Sequence, residues 1–231
     1  MRRWSRLLAF SLVTDSDART AKGGRREALR CPVMQGAPLR SRVRRAAKGE
    51  PPRLLLLAHG YSYHPEEMLA YGTVIDPERR FVLVAPRGPI ELPNGAAAWS
   101  IPKDREPPPF IKASDALSAT LDAACERYGV ARADAIVGGF SQGAIISFTL
   151  ALDPSTVRPA AVINWCGGLP VGRGTPIDLD RLEALPVLWQ FAARDEVVPP
   201  EFSRAGAKTA LAHGAALTRR EYDITHAISV E

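Results

Sequence analysis

"AIVGGFSQGAIISF" occupies residues 135–148 and changes character at its middle. Ala135, Ile136 and Val137 form a short apolar run of the kind a buried strand uses, whereas Ala144, Ile145, Ile146, Phe148 and Leu150 continue at helical spacing. Ser141 stands at the change, with Gly139 two residues before it and Gly143 two after. Glycine at both places lets a strand and the helix after it approach without Cβ clashes. The serine is then held in a tight, strained bend, its oxygen presented at the positive end of the helix. That is the geometry of a nucleophile on an elbow. The pentapeptide Gly-x-Ser-x-Gly is a weak signal by itself, so a base, an acid and an oxyanion hole must be found elsewhere in the chain.

The rest of the chain is consistent with a parallel sheet. "RLLLLAHG" (53–60) and "RFVLVAP" (80–86) are continuous apolar runs, as expected of strands buried on both faces. Further runs begin "AAVINW" (160), "PVLWQFA" (186) and "ALTRREY" (216), and "PLRSRVRRA" (38–46) alternates as an edge strand can. Between them, residues 63–75, 114–130 and 200–214 have helical spacing; Pro65 stands in a first turn and Gly129 at a stop. Strands alternating with helices predict an α/β fold with a mainly parallel, twisted sheet and helices on both faces. Residues 87–110 break the pattern with six prolines, two glycines and a lone Trp99. This is too long for an ordinary connection; it reads as a loop lining a site at the carboxyl ends of the strands, or as a surface insertion.

The 231 residues suit one such domain, and the composition, 46% hydrophobic and 24% charged, is that of an ordinary globular protein. The formal net charge of +5 is unevenly spread: residues 1–53 hold 14 Lys/Arg against 4 Asp/Glu, and the remainder 16 against 21. Residues 1–37 are therefore expected to be a basic, poorly ordered extension, and residues 38–231 the folded domain. The basic segment lacks interleaved aromatics and any helix-turn-helix or zinc pattern, so nucleic acid is not the expected partner; a partner-binding arm or a targeting segment is the alternative. No apolar stretch approaches the length of a membrane span. Cys31, Cys125 and Cys166 are widely spaced and odd in number, which points away from a disulfide framework and toward a reducing, cytoplasmic compartment.

A serine nucleophile needs a histidine base held in one tautomer by a carboxylate. On sheets of this kind the chain order is serine, acid, histidine, and only His213 and His226 follow Ser141. His213 sits directly before Gly214 at the end of a helix, a capping position; His226 follows the last strand on a loop and is the preferred base. Asp195 follows the run at 186–192 on a strand-end loop and is the preferred acid over Glu196 and Asp223. The oxyanion hole calls for backbone N–H groups aimed at developing charge. The amide of Gln142, next to the nucleophile, and that of Tyr61, behind His59-Gly60, are placed to supply them. His59 reads as a turn-stabilising neighbour, and His64 as a rim or surface residue.

Taken together, "LLLLAHGY", "VLVAPRGP", "GGFSQGA", "INWCGGLP", "RDEVVP" and "THAIS" resemble, in order, the small carboxylesterase, phospholipase and acyl-protein thioesterase group of the α/β-hydrolase superfamily. The resemblance covers about residues 38–231. It implies an α/β-hydrolase fold without a large cap domain, and hydrolysis of carboxylic esters or thioesters through an acyl-enzyme. Ser141, Asp195 and His226 would be the triad, and no metal or organic cofactor is implied. Trp99, Phe110 and Leu92 are candidates for the acyl side of an open site that takes short to medium acyl chains of a small-molecule ester; a homodimer is one option for the assembly. The chain departs from the family pattern in Phe191-Ala192, where His-Gly is usual, in Thr225, where glycine precedes the base, and in ending five residues after His226, where relatives continue into a closing helix. Other readings on the same fold are a dienelactone-hydrolase-like or peptidase-like enzyme and a protein that only binds a small ligand. The first would use a cysteine nucleophile, and Cys166 lacks an elbow.

Overall fold

Each of the central apolar runs has to bury side chains on two sides at once, and the fold satisfies this with a sheet between two helical layers. The computed structural model describes residues 36–49, 51–101, 110–171 and 176–229; apart from Gly36 and Ala37, the basic segment at residues 1–37 lies outside these. The elements are β1 (Ser41–Arg44), β2 (Leu54–Ala58), α1 (Pro65–Ile75), β3 (Val82–Pro86), β4 (Ile90–Glu91), β5 (Ala97–Ala98), α2 (Ile111–Tyr128), β6 (Ile136–Phe140), α3 (Gln142–Leu152), β7 (Ala161–Trp165), β8 (Pro186–Ala192), α4 (Pro200–Ala212) and β9 (Ala216–Tyr222). Seven strands form one sheet in the order β1-β3-β2-β6-β7-β8-β9. Only β1 runs antiparallel, on the edge beside β3; the other pairings are parallel.

Alternation along β2 divides the core. Leu54 and Leu56 pack in the layer that contains Leu117 of α2, Ile146 of α3 and Ala207 of α4. Leu55 and Leu57 face the other way, against Met68 of α1 and Leu83 of β3. A strand that must be apolar at every position follows directly from this two-sided burial. The parallel strands carry their carboxyl ends to one edge, and the loops there hold Tyr61, Ser141, Asp195 and His226. Among the described residues no large cap covers that edge, and no helix is long and apolar enough to cross a membrane.

The irregular stretch at residues 87–110 contains more order than its sequence suggested. Ile90–Glu91 and Ala97–Ala98 pair as a short antiparallel hairpin, and Ala97 also bridges to Tyr63. The connection is the three-residue loop Pro93-Asn94-Gly95: the Gly95 amide donates to the Leu92 carbonyl at 2.9 Å and the Leu92 amide to the Ala96 carbonyl at 3.0 Å, and Gly95 adopts the left-handed φ of +78° that such a loop places at its last position. Residues 102–109 of the stretch lie outside the described residues. Helix α2 begins three residues earlier than its spacing suggested, with Phe110 at its N-cap, and it ends as expected at Gly129 in the left-handed conformation, φ 65°.

Asp76, buried at 2% exposure, fastens the edge of the sheet to the end of α1. Its carboxylate accepts from the Arg44 guanidinium at 2.6 Å and from the amides of Arg80 and Phe81 at 2.9 and 3.1 Å. Burial alone would push this carboxyl up, but those amides and Arg44 outweigh it and hold it below the ordinary 3.8. A lowered folded value means that its stabilisation is complete above pH 4 and is lost as pH falls through the folded value. Asp76→Ala should therefore cost about 3 kcal/mol at pH 7 by leaving Arg44 without its partner. Urea unfolding should show the gap to wild type narrowing below pH 4.

Candidate active site

Ser141 links β6 to α3 with φ 54° and ψ −116°, a conformation that costs a non-glycine residue about 1–3 kcal/mol unless its surroundings enforce it. The surroundings do so. The Ser141 amide donates to the Trp165 carbonyl at 2.8 Å, and the Ser141 carbonyl accepts from Ala144 and Ile145 in the first turn of α3. The two glycines of the motif have a steric cause visible in the neighbouring strand. A Cβ on Gly139 or on Gly143 would collide with the carbonyl oxygen of Ala58 at the end of β2. Their absence lets α3 sit tightly over the junction, where Gln142 is its first residue; amides in a helix's first turn have no acceptor within the helix.

The loop after β2 packs onto the same point. Gly60 lies against the Phe140 ring, where a Cβ would meet it at 2.9 Å, so the backbone just before Tyr61 packs on the residue just before Ser141. His59 is fully buried and works through both ring nitrogens: Nε2 accepts from the Gly88 amide at 2.9 Å, which leaves the proton on Nδ1, donated to the Gly60 carbonyl at 2.7 Å. Burial, the largest influence, lowers its pKa to about 4, so the ring is neutral at physiological pH. The Trp99 indole donates to the His59 carbonyl at 2.7 Å, and the Gln142 side chain accepts from the Trp99 amide at 2.8 Å while donating to the Ser100 carbonyl and hydroxyl. The loops after β2 and β3, the hairpin and the elbow are thus one hydrogen-bonded unit.

The histidine and carboxylate expected as base and acid come together from the ends of β9 and β8. His226 Nδ1 lies 2.6 Å from Asp195 Oδ2. The other carboxylate oxygen accepts from the amides of Val197 and Val198, both at 2.8 Å, which fixes the carboxylate plane. Asp195 is 7% exposed. The His226 ring packs on Phe140, the residue before the serine, with centroids 4.7 Å apart. The alternatives are occupied elsewhere: His213 places Nδ1 on the Thr209 carbonyl at the end of α4, Asp223 pairs with Arg194 at 82% exposure, and Glu196 is exposed. Phe191 fills the core against Trp189, and Thr225 is exposed, so neither departure from the family pattern displaces Asp195 or His226.

Of the three residues foreseen on the acyl side, Trp99 and Phe110 are 2% and 9% exposed and present little surface to a ligand, while Leu92 is half-buried on the hairpin. His64 caps α1, its amide donating to Glu67. Cys166 is buried, and burial followed by the charge of Asp195 pushes its thiol up to about 12. Its sulfur, an Asp195 oxygen and a His226 nitrogen lie within 4.8 Å of one another. These groups already bond one another or the Ala227 carbonyl, so a cation would have to break those bonds to enter. Sequence reading did not foresee the bridging roles of His59 and the Gln142 side chain, because both depend on loops that meet only in the fold.

A family model described as phospholipase/carboxylesterase matches residues 42–231. No curated protein matches the sequence significantly. Among solved structures, esterase PE8 superposes with a TM-score of 0.68 at 24% identity, covering 84% of this chain and 93% of its own. The Bacillus cereus carboxylesterase gives 0.67 at 20%, covering 83% and 88%. Zea mays acyl-protein thioesterase 2 gives 0.60 at 18%, covering 83% and 93%. At these identities the likeness is one of fold.

The neutral His59 makes a prediction about stability. Its folded pKa of about 4 lies below the ordinary 6.5, so the unfolded chain binds the extra proton first, and stability falls as pH drops from 6.5 to 4. His59→Gln should remove most of that slope, worth about 3 kcal/mol across the interval, as read from urea midpoints at pH 7 and pH 4.5.

Proposed function

Because the chain belongs to the phospholipase/carboxylesterase family, we propose that Ser141, His226 and Asp195 hydrolyse carboxylic esters through an acyl-enzyme. The observation that carries this reading is the bond between His226 and Asp195, with the imidazole packed at a tilt against the residue next to a strained serine. His226 Nε2 takes the Oγ proton as the oxygen attacks the acyl carbonyl. The imidazolium formed is stabilised by Asp195, whose second oxygen stays on two backbone amides. Negative charge on the tetrahedral intermediate rests on the amides of Tyr61 and Gln142. Collapse returns the proton to the departing alcohol or thiol and leaves the acyl group on Ser141. Water, deprotonated by the same histidine, then attacks that ester and releases the acid and the serine.

The uncovered edge favours short to medium acyl chains, with Leu92 keeping surface for them. Thioesters enter by the same steps, since a thiolate is a better leaving group than an alkoxide. Buried, unpaired Cys125 and Cys166 support a reducing, cytoplasmic setting.

Hydrolysis of p-nitrophenyl esters from acetate to palmitate tests the reading. Turnover should peak at a short or medium chain and fall by at least about 10^3-fold in Ser141→Ala and in His226→Ala, with His213→Ala equal to wild type. Activity surviving Ser141→Ala would remove the nucleophile assignment; full activity in His226→Ala would return the base to His213.

A further inference from the structure

The strand that leads to the acid contains a residue that its layer does not explain. β8 reads Pro-Val-Leu-Trp-Gln-Phe-Ala, and Gln190 is buried at 3% exposure beside Trp165, Leu188 and Tyr222, with which it lines a cavity of about 290 Å³. A carboxamide in such a place is costly unless it is hydrogen-bonded. Gln190 Nε2 donates to the Ala227 carbonyl at 3.1 Å, the carbonyl of the residue directly after His226. The same oxygen accepts a second bond, from Cys166 Sγ at 3.1 Å. Gln190 Nε2 also reaches that sulfur at 3.9 Å, and the Cys166 amide donates to the Gln190 carbonyl at 3.0 Å. Cys166 adopts φ 52°, a left-handed conformation that a non-glycine residue rarely holds without cause.

We propose that Gln190 and Cys166 are positioning residues for the general base: together they clamp the Ala227 carbonyl and so set where the His226 imidazole stands. This rests on the reading of His226 as base. The return loop needs such a hold. The Ile224 carbonyl accepts from the Arg194 amide at 3.0 Å, and three residues further on the loop is held by these two side chains and by Ile228, which packs into the core layer of Leu55 and Met68. The thiol keeps its proton at all working pH values, since burial raises it to about 12, so it remains a donor. An acceptor oxygen at 227 also selects the amide end of Gln190 over its carbonyl end. Because two donors share one acceptor, either can hold the loop when the other is lost.

That redundancy gives the test. Gln190→Leu and Cys166→Ala are each expected to lower kcat by about threefold, and the double variant by about 30-fold or more, with KM little changed, since a base misplaced by about 1 Å can cost 10^2-fold. Cys166→Ser, which keeps a donor, should restore most of the loss seen with alanine. In the double variant the downfield NMR signal of the proton shared by His226 Nδ1 and Asp195 should broaden or move upfield as the ring loses its fixed place, a readout that needs no substrate. A folded double variant with wild-type kcat and an unmoved His226 signal would overturn the clamp, as would strictly additive losses seen only in Tm. If Ser141→Ala or His226→Ala instead left hydrolysis intact, the catalytic reading would fall, taking the positioning role with it. An unmoved signal beside an active triad would reject the clamp alone.

Discussion

The constraint on which the site depends is the meeting of Gly139, Gly143 and the carbonyl oxygen of Ala58. β6 and β2 are neighbours in the sheet, and α3 must cross over their ends for its first amides to lie beside Ser141. A methyl group at either glycine would occupy the space of that oxygen and lift the helix away. Lifting it would relax the serine from its strained conformation, and the Gln142 amide proposed to bind an oxyanion would move with it. Ser141 keeps an unfavourable φ because the strand before it, the helix after it and its bond to Trp165 all hold it there.

Catalytic groups from separate strand ends must then be brought to this point and kept there. On the β2 side the device is a neutral imidazole. His59 accepts a hydrogen bond from the loop after β3 and donates one to the Gly60 carbonyl of its own loop, a combination that only the uncharged ring can make. Trp99 and the Gln142 side chain extend the unit to the hairpin. On the far side, where β8 and β9 end, two backbone amides fix the carboxylate of Asp195, and His226 is oriented between that carboxylate and the Phe140 ring. Phe140 thereby touches His226 while preceding Ser141, so the x position of Gly-x-Ser has a structural part in aligning the proposed triad.

Burial makes these arrangements durable and also sensitive. Polar side chains at His59, Asp76, Gln190 and Asp195 are nearly inaccessible, and each has hydrogen-bond partners. In such surroundings a missing partner costs more than the bond itself contributes. The two departures from the family pattern fall in opposite surroundings: Thr225 is exposed, and Phe191 is fully buried against Trp189.

Much was legible in the chain itself. Continuous apolar runs at β2 and β3 pointed to strands buried on both faces, and Gly-x-Ser-x-Gly between strand and helix spacing marked the elbow, because these are local properties of backbone and side chain. The choice of His226 over His213 followed from one lying on a loop and the other at a helix end. The Asn94-Gly95 hairpin had its signal in the sequence as well, but it was obscured by the prolines around it. What only the tertiary structure decided are contacts between segments far apart in the chain. Trp99 became a core residue because its indole found the His59 carbonyl 40 positions away. Gln190 and Cys166 came to share the carbonyl of Ala227 for the same kind of reason. Hydrogen bonds act over about 3 Å, and which groups stand that close depends on the packing of three strands and their loops, not on the residues beside them in the sequence.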